Sequence, residues 1–286
     1  MKKTRDLTII LGIYILAFIA GFFACFRLEG IMLQLFVFDI VATVVTFIFS
    51  VIFKNSSVYD AYWSATPMVM ALWLFVIEKA FSPMQIVFLI VFQLWGFRLT
   101  FNWVEVFTDF SYEDWRYIKY RNETPRIFWP IVNFFGIHMM PTLVVFSGML
   151  PMFAIVKVAM NWMAIPGILI MLMGICFEFF ADRQMHTFLN SGKKGDVCDI
   201  GLWKYSRHPN YLGEISFWVG VYVTMLPFAF EYWYYGIGWL SVAILFNVVS
   251  IPLMEKRQVS RRPQYVDYRK ATSRLVIRPQ KKSFYS

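Results

Sequence analysis

Residues 31–53 form one long apolar run, which reads IMLQLFVFDIVATVVTFIFSVIF. Asp39 is the only charged residue in this stretch. A helix needs about 20 mainly apolar residues to cross a bilayer, so the run is long enough to span it. The residues do not alternate between apolar and polar, which argues against a strand of a membrane β-barrel. Because lipid offers the backbone no hydrogen-bond partners, the run predicts a transmembrane α-helix.

Similar apolar runs recur on both sides of this stretch. We predict spans at 7–26, 31–53, 66–81, 84–107, 128–149, 160–181, 211–230 and 232–253. The predicted fold class is all-α: a polytopic helical membrane bundle of about seven to eight transmembrane helices with a cytoplasmic C-terminal segment. We assign residues 1–54 to N-terminal transmembrane helices and residues 55–286 to one functional membrane domain.

The composition agrees with a protein that lies in lipid. Of the 286 residues, 59% are hydrophobic, 20% are aromatic and only 16% are charged. The mean hydropathy is +0.56. A soluble domain carries about 25% charged residues, and it could not bury this much apolar surface. The three cysteines are too few for a disulfide scaffold, and so apolar a chain is not intrinsically disordered.

The net charge of +9 arises from basic residues in the polar segments between the apolar runs. With eight spans, 23 of the 27 Lys and Arg residues fall on one side of the membrane. Cytoplasmic loops carry such an excess, so we place both termini in the cytoplasm. The same pattern explains the charge without a nucleic-acid partner. The first apolar run is about 20 residues long, and we interpret it as a retained anchor helix rather than a cleaved signal peptide.

Several kinds of chemistry are missing from the sequence. The chain has three histidines, too few for a membrane di-iron enzyme. Glu178, Asp182 and His186 share a helix face at spacings of four, but they lack further ligands, and we expect no metal. No phosphate-binding loop, dinucleotide fingerprint or nucleophile elbow occurs. Any nucleotide must therefore be held by the membrane helices and their polar connections.

One polar stretch stands directly before an apolar span. Residues 201–214 read GLWKYSRHPNYLGE. Pro209 suits the first turn of a helix, and the free N–H groups of a helix N-terminus favour an anion. Lys204 and Arg207 add positive charge that suits a phosphate. A basic loop that contacts lipid headgroups would explain these two residues equally well.

Asn210 and Glu214 of the same stretch need another explanation. They are four residues apart, so they share a helix face. Glu214 enters the apolar run, where a carboxylate is costly unless it has a function. A lipid-contacting loop accounts for neither residue, and we therefore favour a binding site. Glu178 and Asp182, at the polar end of the sixth span, serve either such a site or helix pairing.

The segment after the last span is strongly basic, with ten Lys and Arg residues following residue 255. Attraction to anionic lipid, worth about 1 kcal/mol per charge, accounts for part of this excess. Tyr265 and Tyr268 interrupt the basic residues and indicate a folded tail rather than a simple polybasic one.

These motifs resemble the steroid 5-alpha-reductase-like superfamily, in particular its bacterial branch of membrane proteins. The match is strongest at residues 201–214 and continues at Tyr265-Val-Asp-Tyr268 and Thr272-Ser273. Weaker matches lie at residues 60–63, 95–99 and 113–117, so the resemblance covers about residues 55–279.

The resemblance implies a helical membrane core that binds NADPH from the cytoplasmic side. In the steroid reductases the Asn and Glu of the Asn-x-x-Gly-Glu motif contact the cofactor, and an Asp on the preceding long helix does too. Basic residues of the C-terminal segment hold the phosphates. The candidate cofactor-binding residues here are Asp182, Lys204, Arg207, His208, Asn210, Tyr211, Glu214, Arg257, Arg261 and Tyr268.

The family's reaction is hydride delivery to a conjugated enone whose carbonyl is held by a Tyr and a Glu. Here Trp95 stands where the Tyr is expected, and Ser64 lies near the position of the Glu. Asp60, Tyr62 and Glu105 are therefore the candidate catalytic residues. The resemblance implies an integral membrane NADPH-dependent oxidoreductase that reduces a carbon–carbon double bond of a steroid-, terpenoid- or fatty-enone-like lipid. The expected location is a bacterial inner membrane.

Two other functions fit parts of the sequence. Isoprenylcysteine-type and phospholipid methyltransferases, which bind S-adenosylmethionine, also carry an Arg-His-Pro-x-Tyr motif, matched here by residues 207–211. Those enzymes usually follow it with a Glu-Glu pair, whereas Glu255 is followed by Lys256. A transporter or sensor would place polar residues near mid-membrane in several spans, and Asp39 is the main one here.

Overall fold

The computed structural model describes residues 2–192 and 195–281, and within these ranges the chain is helical without a β-strand. The order of the helices follows the apolar runs. They are α1 (Lys2–Cys25), α2 (Ile31–Ile52), α3 (Tyr62–Ile77), α4 (Pro83–Val106), α5 (Trp115–Glu123), α6 (Trp129–Ile155), α7 (Ile165–Asn190), α8 (Pro209–Met225), α9 (Phe230–Arg261) and α10 (Tyr265–Ala271).

Seven helical segments in the described ranges are long and apolar enough to cross a membrane. They contain α1, α2, α3, α4, α6, α7 and α9. This confirms the predicted all-helical membrane fold, and the protein is an integral membrane protein. The segment predicted as a span at 211–230 is α8, which has 17 residues and a length of about 26 Å. Its length is close to that of α3, which has 16 residues.

The contacts divide the chain into two units, Met1–Ala159 and Met160–Ser286. In the first unit, α1 packs along α2, and the two helices approach closely at Gly21, where a Cβ atom would meet the Phe38 carbonyl. Ile13, Ala17 and Ala42 belong to the core of this unit. The boundary predicted after residue 54 concerns function rather than contacts between helices, and it stays a prediction.

The second unit is built on the pairing of α7 with α8. Gly174 and Gly213 allow the two backbones to meet, because a Cβ on Gly213 would lie 2.6 Å from the Gly174 carbonyl oxygen. Close glycine contacts of this kind let membrane helices pack at short range. The pairing carries the polar end of α7 alongside the beginning of α8, where the polar stretch of the sequence lies.

Two helices continue beyond the apolar runs that predicted their membrane spans. The sixth span was predicted to end at residue 181, but α7 continues to Asn190. The last was predicted to end at residue 253, but α9 continues to Arg261. Polar residues that follow a membrane span can continue its helix until a residue such as Gly or Pro ends it. Here Gly192 and Pro263 follow the two helix ends.

The third span also begins earlier than predicted. It was expected at 66–81, whereas α3 runs from Tyr62 to Ile77 and follows a 3-10 turn at Ser56–Tyr59. The Asn55 side chain caps this turn by accepting a hydrogen bond from the Ser57 N–H. The chain then leaves the helix at Lys79, which has a positive φ of 53°.

Candidate functional site

The polar stretch at residues 201–208 is anchored to the polar end of α7. The Leu202 N–H donates to Oε1 of Gln184 at 2.8 Å, and Nε1 of Trp203 donates to the Ala181 carbonyl at 2.9 Å. Gly201 has a φ of 55°, in the left-handed region that glycine adopts without strain. The stretch then enters α8 at Pro209, in the first turn as the sequence predicts.

Arg207 is a structural anchor in the second unit. Its Nε lies 2.8 Å from Oε1 of Glu255, and its Nη1 donates to the carbonyl oxygens of Arg269 and Thr272 at 2.8 and 2.5 Å. Its side chain is 9% exposed. A buried arginine must have such partners, since an unpaired charge would be very costly. With these contacts the guanidinium group holds the C-terminal tail against the start of α8, and the predicted phosphate-binding role stays a prediction.

His208 shares the same carboxylate. Its Nε2 lies 3.2 Å from Oε1 of Glu255. Its ring is stacked on Tyr211, with centroids 5.5 Å apart and planes at 7°, and Tyr211 is stacked on Phe246 at 4.5 Å and 9°. Burial lowers the pKa of His208 below its ordinary value of 6.5, and the nearby Glu255 opposes this effect. The result is a neutral imidazole in a fixed orientation.

The C-terminal tail is folded, as the tyrosines predicted. The Tyr268 hydroxyl donates to the Trp203 carbonyl at 2.5 Å, and Oγ of Ser206 donates to the Leu275 carbonyl at 2.7 Å. Tyr265 and Tyr268 pack with Val197 in a small apolar cluster. Burial raises the pKa of Tyr268 above its ordinary value, so the hydroxyl stays protonated and donates.

These elements surround a cavity of about 360 Å³ in the second unit. Pockets for small molecules are usually 300–1,000 Å³, so its size suits a ligand. Eight of the ten predicted cofactor-binding residues line it, from α7, from the start of α8, and from α9 and α10. They are Asp182, Arg207, His208, Asn210, Tyr211, Arg257, Arg261 and Tyr268.

The other two predicted residues do not line the cavity. Lys204 is exposed on the 3-10 turn at Gly201–Lys204. Glu214 is buried, and its Oε1 accepts a hydrogen bond from Nε1 of Trp218 at 2.8 Å. Trp218 lies one turn further along α8. The cofactor-binding role of Glu214 stays a prediction.

The sequence predictions missed Glu255, which contacts two residues of the cavity wall, and several residues that line the cavity itself. Glu255 was noted only as a lone glutamate, although it organises Arg207 and His208. The signal was present, because a carboxylate at the end of an apolar span calls for a partner. Asp196 and Arg262 also line the cavity, but they lie in connections without such a signal.

The charges of the cavity are of both signs. Arg257, Arg261 and Arg262 line it from the end of α9 and the residue after it, and arginine is well suited to bind phosphate. Asp182 and Asp196 also line it, and carboxylates accept hydrogen bonds from hydroxyl groups. The donor set fits a ligand with anionic groups and sugar hydroxyls. Burial raises the pKa of Cys198 to about 11, which favours the protonated thiol over the thiolate at neutral pH.

The three candidate catalytic residues lie in the first unit and have different neighbours. The Tyr117 hydroxyl donates to Oδ1 of Asp60 at 2.6 Å. The Tyr62 hydroxyl donates to Oδ1 of Asp39 at 3.0 Å. Glu105 is exposed, and its backbone carbonyl accepts from Lys3 at 3.2 Å. Their catalytic role stays a prediction.

The expectation that the protein holds no metal ion also stays a prediction. Within residues 2–192 and 195–281, no group of three His, Cys, Asp or Glu side chains is placed to hold a metal ion. Glu178 is buried on the side of α7 that packs against Gly213 of α8, whereas Asp182 lines the cavity. The helix face that these residues share is therefore divided between helix packing and the cavity.

A family model matches most of the chain, including the region that forms the cavity. The model of a family described as "Protein of unknown function (DUF1295)" matches residues 46–272. An uncharacterized protein of Schizosaccharomyces pombe is 24% identical over 259 residues, which cover 79% of this chain and 73% of that relative. No solved structure matches the chain. The family match includes every residue that lines the cavity.

Proposed function

This chain belongs to the family of unknown function DUF1295, and we propose that it is an integral membrane reductase that binds NADPH in the cavity of its second unit. Its reaction is the reduction of a carbon–carbon double bond in a lipophilic substrate. The observation that supports the proposal is the cavity itself. Positions chosen on the resemblance to steroid 5-alpha-reductase-like proteins come from three distant segments and line one space.

The residues of the cavity fit the chemical groups of NADPH. Arg257 and Arg261 are suited to its phosphates, as expected from the resemblance. Asp182 is suited to accept hydrogen bonds from a ribose hydroxyl. Asn210 and Tyr211 lie in the first turn of α8, where backbone N–H groups favour an anion. The nicotinamide would supply the hydride, so the protein has only to bind, orient and keep water out.

The substrate class follows from the membrane location. A steroid-, terpenoid- or fatty-enone-like lipid dissolves in the bilayer, and a helical membrane protein rich in aromatic residues suits a flat apolar molecule. Asp60, Tyr62 and Glu105 are our candidates for handling its carbonyl and the proton. We also propose that the cavity and both termini face the cytoplasm of a bacterial inner membrane, because the basic residues favour that side.

A second candidate function is supported by one contact. Glu255 joins Arg207 and His208, and these two begin the Arg-His-Pro-x-Tyr motif shared with membrane methyltransferases. A single glutamate after the last span thus meets the motif in space. This favours S-adenosylmethionine as the alternative ligand, with methyl transfer as the alternative reaction.

Ligand binding to the purified protein in detergent separates the two functions. Trp203 lines the cavity, so bound NADPH should accept excitation energy from its indole and emit blue light. We expect saturable transfer with NADPH and weaker binding of NADH. Trp203→Phe should reduce the transfer at saturation without abolishing binding. A thermal shift with S-adenosylmethionine, and no transfer with NADPH, would support the methyltransferase and refute the reductase.

A further inference from the structure

We infer that His208 accepts a hydrogen bond from the bound dinucleotide through Nδ1, and that Glu255 is the positioning residue that keeps this nitrogen an acceptor. The inference rests on the proposed function, since it assigns a contact within the proposed NADPH site. It gives a role to Glu255, whose contacts are otherwise those of a structural ion pair.

The tautomer of His208 follows from its contact with Glu255. Oε1 of Glu255 lies 2.8 Å from Nε of Arg207 and 3.2 Å from Nε2 of His208. A carboxylate paired with an arginine is ionised and can only accept hydrogen bonds. Nε2 must therefore carry the hydrogen. In a neutral imidazole the other nitrogen, Nδ1, is then an acceptor.

Nδ1 has no hydrogen-bond partner among the residues that the structure describes. His208 is 5% exposed, yet it lines the cavity. Nδ1 is not among the fully buried side-chain atoms of the described residues that lack a partner, so a hydrogen-bond donor of a ligand in the cavity can reach it. The carboxamide, the adenine amino group and the ribose hydroxyls of NADPH are all such donors.

The stack of three rings fixes the direction of this acceptor. Tyr211 lies parallel to His208 on one side and to Phe246 on the other. The imidazole is thus held both by its edge, through Glu255, and by its face, through Tyr211. A group held in this way loses little conformational freedom when a ligand binds.

Burial favours the neutral form of the imidazole near pH 7. Burial lowers the pKa of His208, and Arg207 and Arg274 lower it further, while Glu255 acts in the opposite direction. Protonation would turn Nδ1 from an acceptor into a donor. The contact with the ligand is therefore expected above the pKa of His208 and is lost as the pH falls through it.

Two substitutions of His208 separate the contact with the ligand from the contact with Glu255. In His208→Asn the side-chain oxygen can take the place of Nδ1, but the chain is too short to reach Glu255. In His208→Gln the side-chain amide can take the place of Nε2–H, but no acceptor replaces Nδ1. NADPH affinity is measured by energy transfer, and thermal unfolding of each variant is the control.

We expect His208→Gln to weaken NADPH binding about tenfold and His208→Asn to stay within about threefold of the wild type, as the loss of one hydrogen bond implies. The reverse order would overturn the inference, because then the contact with Glu255 matters and the acceptor does not. Equal losses would also overturn it, because the acceptor would then have no effect of its own on NADPH binding. A wild-type protein that does not bind NADPH would instead refute the proposed function.

A second measurement does not depend on these variants folding. The chain has three histidines, so ¹⁵N-histidine labelling gives a spectrum in which His208 can be identified by replacing His138 and His186 in turn. We expect a protonated Nε2 and an unprotonated Nδ1, and a shift of the Nδ1 signal when NADPH is added. A protonated Nδ1 at pH 7, or no shift at saturating NADPH, would contradict the inference.

Discussion

The two units use buried polar groups in different ways. In the first unit, hydroxyl groups bond to one another: Tyr59 and Thr43 both contact Thr142, at 2.7 and 2.9 Å, and Tyr62 contacts Asp39. In the second unit, polar side chains from several helices line a cavity. Hydroxyl groups that bond to one another hold helices together, whereas polar groups around an open space are available to a ligand. The comparison teaches that the space beside the polar groups of the second unit, and not their polarity alone, makes them candidates for ligand binding.

The largest effect is expected where the wall of the cavity depends on one carboxylate. Glu255→Ala leaves Arg207 buried without its ionic partner, and removing one member of a buried pair costs about 3–5 kcal/mol. We expect a large drop in the thermal unfolding temperature in detergent. Glu231→Ala, at an exposed position of α9, is the control and should have little effect. Equal stability of the two variants would show that the wall does not need the ion pair.

An intermediate effect is expected for Arg257, which lines the cavity from α9. Arg257→Ala should weaken NADPH binding about tenfold or more, because hydrogen bonds to charged groups contribute about 1.5–3 kcal/mol. The neighbouring Lys256 is exposed and does not line the cavity, so Lys256→Ala is a matched control. The effect of Arg257→Ala should shrink at high salt. The same loss in both variants would mean that general positive charge, and not the cavity, attracts the ligand.

The smallest effect is expected in the network of hydroxyl groups in the first unit. Tyr59→Phe removes one hydroxyl, but Thr142 keeps its contact with Thr43 and its bond to the His138 carbonyl. We expect a stability loss of about 1 kcal/mol and an unchanged NADPH affinity. Tyr234→Phe, at an exposed ring, serves as the control for the loss of a tyrosine hydroxyl. A change in NADPH affinity with Tyr59→Phe alone would erase the distinction between the two units.

The candidate site could be predicted in part because local patterns carry real information. Pro209 marked the beginning of α8, and the apolar run after it marked a helix. Asp182 and Arg257 were placed by resemblance, and both line the cavity. The role of Arg207 could not be predicted, because its partner Glu255 lies 48 residues further along the chain. Glu214 was predicted from its place on the same helix face as Asn210, but spacing along a helix does not decide which residues line a cavity, and Glu214 does not line this one.

The amino-acid sequence by itself determined the helical membrane architecture. Apolar runs of about 20 residues leave the backbone no stable alternative in lipid, and this constraint is local to each run. Only the tertiary structure decided which polar residues meet. Glu255, Arg207 and His208 form one cluster because α7 and α8 pair closely, the tail folds back, and α9 continues as a helix past the apolar run. Contacts between distant segments depend on packing, and packing depends on the shape of every neighbour at once.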